Sequence, residues 1–174
     1  INVPLSIKLE ESNDLMFRLV HGDVKYVMVS GQQLKKIRQI KAQLPAVQKV
    51  IVFDEQETYE DGEIALSEII AMGDKFLAEH TEEEFLAVAH SIQNDDYATI
   101  TYTSGTTADP KGVVLTHRNY TANVEQALTR ISIPSEYTMF IILPLDHCFA
   151  HVAGFYTMMS YGASIGTVPS GKSG

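Results

Sequence analysis

The run Tyr102-Thr103-Ser104-Gly105-Thr106-Thr107-Ala108-Asp109-Pro110-Lys111-Gly112 gathers the groups that grip a polyphosphate. Thr103, Ser104, Thr106 and Thr107 supply hydroxyl donors, and Gly105 and Gly112 let backbone N–H groups approach an anion closely. Lys111 adds a mobile point charge that can follow a phosphate as it departs. Runs rich in Gly, Ser and Thr also make ordinary loops. Three features favour a phosphate site over a plain turn. Five of the seven residues from Thr101 to Thr107 carry aliphatic hydroxyls, more than a turn needs. Pro110 fixes its own φ and stiffens the approach to Lys111. The run also joins two apolar segments, 97–102 and 112–115, directly, which predicts a hairpin-like connection.

Other clusters could carry chemistry. His147, between a predicted strand end and a helix start, has the position of a helix cap or a satisfied buried polar group. With Cys148 and His151 it spells His-Cys-x-x-His. A closed zinc site needs four ligands and only His117 remains as a loose candidate, so no metal site is expected. Residues 166–173, Gly-Thr-Val-Pro-Ser-Gly-Lys-Ser, satisfy the Walker A spacing, and Val50-Ile51-Val52-Phe53-Asp54-Glu55 looks like a Walker B strand. Together they would make a P-loop nucleotide hydrolase. Walker A works through a helix that follows its glycines, whereas here one residue follows the pattern and the two elements come in reversed order.

The elements that must position these groups alternate in type. A helix is predicted over 11–21, with Leu15 and Leu19 on one face and Gly22 as its stop, then a strand at 26–29. Ser30 caps a predicted helix through Leu44, where Leu34, Ile37 and Leu44 share a side. Val50–Phe53 is a continuous apolar run, expected to be a strand covered on both faces. From 59 to 93 the text is polar and helical: Ser67 opens one helix, and Thr81 with Glu84 forms a capping box for a second. Its Glu82-Glu83-Glu84 reads as a solvated first turn. The strand 98–102, the phosphate run and the strand 112–115 follow, and Thr116 then caps a helix to about Arg130. A strand at 139–143, a helix at about 149–160 and a strand at 163–168 complete the pattern. Tyr102 is expected to face a core, and Met158, Met159 and Tyr161 to pack a helix. Alternating strands and helices imply an α/β fold, a largely parallel sheet flanked by helices.

With 174 residues, 45% of them hydrophobic and 20% charged, the chain can build a real core. A net charge of −9 without a basic stripe argues against nucleic acid as a partner. Cys148 is the only cysteine, so an internal disulfide is excluded and a reducing compartment fits. No apolar run reaches the roughly 18 residues that span a bilayer, and the first residues lack the basic region and cleavage site of a signal peptide. These features lead us to expect a cytoplasmic protein. The chain starts without methionine, inside an apolar segment, and stops after Ser170-Gly171-Lys172-Ser173-Gly174 without a closing element. A piece of a longer protein is expected.

The phosphate run closely resembles the signature Thr-Ser-Gly-Thr-Thr-Gly-x-Pro-Lys-Gly of the adenylate-forming superfamily, which includes acyl-CoA synthetases, luciferases and peptide-synthetase adenylation domains. It departs at Ala108, where the family usually has glycine; the methyl group restricts positive φ at the loop tip. Leu143-Pro144-Leu145-Asp146-His147 resembles a later block of the family, and Thr116-His117-Arg118-Asn119 the usual start of the intervening helix. Residues 43–54, 67–73 and 95–100 are similar to bacterial long-chain fatty-acid CoA ligases. The resemblance implies a partial N-terminal domain of such an enzyme, with β/α units over 1–58, a helical insertion over 59–96, and phosphate-loop and acyl-pocket units over 97–174.

Membership would imply ATP-dependent activation of a carboxylic acid, of the long-chain fatty class, to an acyl-adenylate and then to acyl-CoA, with release of pyrophosphate and AMP. The implied ligands are ATP with Mg2+, coenzyme A and the acid; the remainder of the parent chain is a further partner. Peripheral membrane contact suits a fatty-acid enzyme, although no basic amphipathic helix supports it. Thr103, Ser104, Thr106 and Thr107 would donate to the leaving pyrophosphate, Gly105 and Gly112 would bind the nucleotide, and Lys111 would supply the counter-charge. The resemblance places the His147 ring where acyl and nucleotide sites meet, as a catalytic group beside Lys111. The family's later adenine, ribose and C-terminal lysine blocks do not follow in this chain, so it is expected to be inactive alone. Besides the P-loop hydrolase, the alternative is a non-catalytic, nucleotide-binding remnant.

Overall fold

Strands and helices alternate along residues 1–103, 110–145, 147 and 149–167, which a computed structural model describes. They form two units, Ile7–Gln93 and Ile1–Ser6 with Asn94–Gly174.

In the unit Ile7–Gln93, β1 (Tyr26–Val29), β2 (Lys49–Val52) and β3 (Glu63–Ala65) make a parallel sheet in that order. Tyr26 pairs with Lys49, and Val50 with Glu63. The helix α1 (Ser12–His21) precedes β1; α2 (Gly31–Ile40), prolonged by a 3-10 turn at Lys41–Gln43, crosses from β1 to β2. Strand alternation selects one inner face. Val27, Val29, Val50, Val52 and Ala65 are buried with Leu15 and Leu19 of α1 and Leu34, Ile37 and Ile40 of α2. Ile51 is only half-buried and Phe53 is exposed, so β2 is not covered on both faces as its apolar run predicts. A short apolar run carries no periodicity that could separate the two cases.

Ser30 takes the predicted N-cap position of α2, but its hydroxyl makes no capping bond. The cap comes from Asp54, after β2, whose carboxylate accepts from the Gly31 N–H at 2.8 Å. A negative charge there is favoured by the helix dipole. Near the end of α2, Arg38 forks onto Glu63, its Nε and Nη2 donating at 2.9 and 2.7 Å. The Glu63 side chain is 1% exposed. The Arg38 guanidinium holds its carboxyl below the ordinary carboxylate range, against the opposing effect of burial.

The strand β3 has no counterpart in the predicted elements. It is three residues long, too short for a periodic signal, and exists through its pairing with β2. The next helix, α3 (Leu66–Glu79), starts one residue before Ser67, whose hydroxyl donates to Glu55 instead of opening the helix. The helix α4 (Glu82–His90) opens on the predicted capping box: Thr81 Oγ1 accepts from Glu84 N–H, and the Glu84 carboxylate accepts from Thr81 N–H.

In the other unit, β4 (Tyr97–Tyr102) and β5 (Gly112–Thr116) pair antiparallel, and β6 (Thr138–Ile141) and β7 (Ser164–Thr167) pair parallel. Asn2 adds a parallel bridge to β4 at Thr99. The helix α5 (His117–Leu128) begins at the predicted Thr116 cap, which closes a capping box with Asn119. The helix predicted over 149–160 divides into a π-helix, Ala150–Tyr156, and α6, Thr157–Tyr161. Thr157 Oγ1 donates to the Val152 carbonyl at 2.8 Å, consistent with the wider turn. Gly154 lets the π-helix lie against β6: a Cβ there would stand 3.1 Å from Ile141 Cδ1.

Candidate functional site

The strands β4 and β5 pair antiparallel at the two ends of the run 102–112, as a hairpin-like connection requires. Tyr102 faces Gly112 in the ladder. One step further, Thr103 N–H donates to the Lys111 carbonyl at 3.0 Å, and Lys111 N–H donates to Thr103 Oγ1 at 3.4 Å. The two ends of the run therefore stand side by side at the hairpin mouth, with Lys111 exposed. Ser104, Gly105, Thr106 and Thr107 lie outside the described residues.

Gly112 has a packing duty at this point. A Cβ there would come within 3.0 Å of Ile100 Cγ2 and 3.3 Å of Tyr102 Cε1. Tyr102 is buried, as predicted, and its ring fills the space that a side chain at position 112 would need.

The hairpin is backed by α5. Thr99 of β4 and Tyr120 of α5, both buried, share a hydrogen bond between their hydroxyls at 2.8 Å. The Tyr120 ring meets Tyr156 edge-on at 5.3 Å, and His151 stacks on Tyr156 at 5.9 Å. Beside them opens a groove of about 560 Å3, lined among others by Thr99, Tyr120, Val124, Leu128, Tyr156 and Met159. The groove was not foreseen. Its signal is the recurrence of Tyr120, Val124 and Leu128 at every fourth position of α5. Met158 is buried, as expected of helix packing, whereas Met159 is 62% exposed beside the groove.

His147 lies in the turn that leads into the π-helix. Its N–H donates to the Pro144 carbonyl at 3.0 Å, and its carbonyl accepts from His151 N–H at 3.2 Å. Its ring Nδ1 accepts from Phe149 N–H at 3.2 Å. The side chain thus caps the helix, the first of the two roles its sequence position allows, while Nε2 is left for other partners. Cys148 and most of the Walker-A-like segment lie outside the described residues. Among the described residues no group of three or more His, Cys, Asp or Glu side chains is placed to hold a metal ion. Nor is any helix among them long and apolar enough to cross a membrane.

Comparison with known proteins gives a consistent picture. The family model described as AMP-binding enzyme matches residues 1–173. The peroxisomal acyl-CoA ligase 891 of Penicillium brevicompactum is 34% identical over 155 residues, covering 84% of this chain and 22% of that protein. Long chain acyl-CoA synthetase 8 of Arabidopsis thaliana is 30% identical over 159 residues, covering 87% of this chain and 21% of its own length. This chain therefore spans about a fifth of the curated relatives it matches. Among solved structures, an anthranilate CoA ligase in complex with anthranoyl-AMP superposes with a TM-score of 0.75 at 18% identity, over 95% of this chain and 30% of that one. The likeness shows that this chain shares the α/β fold of the matching part of that ligase.

Proposed function

The chain belongs to the AMP-binding enzyme family, and on that premise we propose that it carries the phosphate-gripping part of an ATP-dependent acid–thiol ligase. The substrate is a carboxylic acid of the long-chain fatty class; the Arabidopsis thaliana relative is named a long chain acyl-CoA synthetase. A carboxylate oxygen attacks the α-phosphorus of ATP, the bond to pyrophosphate breaks, and an acyl-adenylate forms. The thiol sulfur of coenzyme A then attacks the acyl carbonyl, and AMP leaves as the thioester forms. The reaction is assigned to the cytoplasm, with peripheral membrane contact.

The observation that carries this reading is the hairpin mouth, where Thr103 and Lys111 are held together by two backbone-anchored hydrogen bonds. Charge accumulates on pyrophosphate as it leaves, and preorganised donors aimed at that charge lower the barrier; one such donor is worth roughly 3 kcal/mol in other enzymes. Lys111 meets the departing charge, Thr103, Ser104, Thr106 and Thr107 donate to it, and the amides of Gly105 and Gly112 bind the nucleotide. His147 stands where acid and nucleotide meet. Magnesium carried by ATP would neutralise part of the phosphate charge, leaving the rest to Lys111 and the hydroxyl donors.

Pyrophosphate–ATP exchange by the parent protein, with carboxylic acids from acetate to palmitate, tests the proposal. Acid-dependent exchange that peaks at long chains is expected. Steady phosphate release from ATP with no acid-dependent exchange would overturn it in favour of a nucleotide hydrolase.

A further inference from the structure

We propose that the Phe149 amide fixes the protonation geometry of His147, so that the ring presents an Nε2–H donor rather than a proton-accepting nitrogen. Phe149 N–H donates to Nδ1 at 3.2 Å, so Nδ1 must carry its lone pair and the neutral ring's proton belongs on Nε2. The backbone of His147 is tied at both sides, to the Pro144 carbonyl and to His151 N–H, so the ring swings from a fixed point. With Nδ1 engaged, only Nε2 remains to meet a ligand. An outward N–H suits an anionic oxygen. In the acid-activating reading, on which this role rests, that oxygen belongs to the carboxylate or to its adenylate. His147 then orients and stabilises the acid and takes no proton from it, while the Phe149 amide acts as the positioning group.

The geometry at position 149 makes the bond removable. Phe149 has φ −62°, the value proline enforces, and the residue is 59% exposed. Phe149→Pro therefore deletes the N–H without forcing φ at that residue, and Phe149→Ala deletes the same side chain while keeping the N–H.

Long-range proton–nitrogen spectra of the histidine rings, taken on the 174-residue chain above the ordinary imidazole range, read the tautomer directly. In the wild type and in Phe149→Ala, His147 should show the Nε2–H tautomer alone, whereas the exposed His90 shows a mixture of both. In Phe149→Pro, His147 should fall back to the mixture seen at His90. An Nδ1–H ring or a mixture in the wild type would overturn the proposal, as would a Phe149→Pro spectrum indistinguishable from that of Phe149→Ala. A second arm uses the parent enzyme. Glutamine places an amide N–H near the position of Nε2–H, and asparagine places a cap acceptor near that of Nδ1. His147→Gln should retain most of the adenylation rate, and His147→Asn should lose roughly 100-fold or more, as for removal of one oxyanion donor. The reverse order would show that the cap alone matters. If the parent shows no acid-dependent exchange at all, the acid-activating reading falls, while the spectra still decide the tautomer.

Discussion

Lys111 and Thr103 stand side by side through two hydrogen bonds at the ends of β4 and β5. Under the proposed acid activation, the lysine's charge would matter most when pyrophosphate leaves, so its loss should be felt in the transition state more than in the ground state. Lys111→Ala in the parent enzyme is expected to lower the adenylation rate roughly 100-fold, with little change in the KM for the acid. Steady-state kinetics that moved only that KM would show Lys111 to be misplaced. Thr99 and Tyr120 form a second pair, buried under the hairpin. Tyr120→Phe strands the Thr99 hydroxyl in the interior and should cost about 1–3 kcal/mol. Urea unfolding would read this as a lower midpoint, and an unchanged midpoint would mean that the hydroxyl finds another partner. The pairing of the two ends of the run 102–112 was legible, because apolar segments flank it directly. The Thr99–Tyr120 bond was not, since nothing in the sequence says that these two hydroxyls meet.

At the scale of elements, caps and turns carry local signals and packing does not. The Thr81–Glu84 box and the Thr116 cap appear where the sequence puts them. The cap of α2 comes instead from Asp54, far along the chain, while Ser30 beside the helix stays unused. Arg38 and Glu63 join α2 to β3 in the same non-local way. Because the folded Glu63 carboxyl titrates below its ordinary value of 4.5, its stabilising contribution is complete above that value. The contribution is lost as the pH falls through the lower, folded one. The unit Ile7–Gln93 should therefore weaken on acidification through this window, and Arg38→Met should flatten that acid limb. Urea midpoints followed across the acid range would check it; an equally steep limb in Arg38→Met would assign the acid sensitivity elsewhere.

For the whole molecule, the governing fact is that the chain spans 22% and 21% of two ligases it resembles. An adenylation site needs groups around the adenine, the ribose and the acid as well as the phosphates. Purified by itself, the 174-residue chain is expected to form no acyl-CoA from acid, ATP and coenzyme A, and detectable thioester in a direct assay would refute that expectation. What the sequence determined alone is the alternation of strands and helices, and the helix caps whose partners lie within one turn. Each is a local property, set by residue type and by the periods of strand and helix. The tertiary structure alone decided which face of β2 is open, that β3 exists and that Asp54 caps α2. Those features depend on which distant segments meet, and contact between distant segments leaves no periodic trace in a single chain.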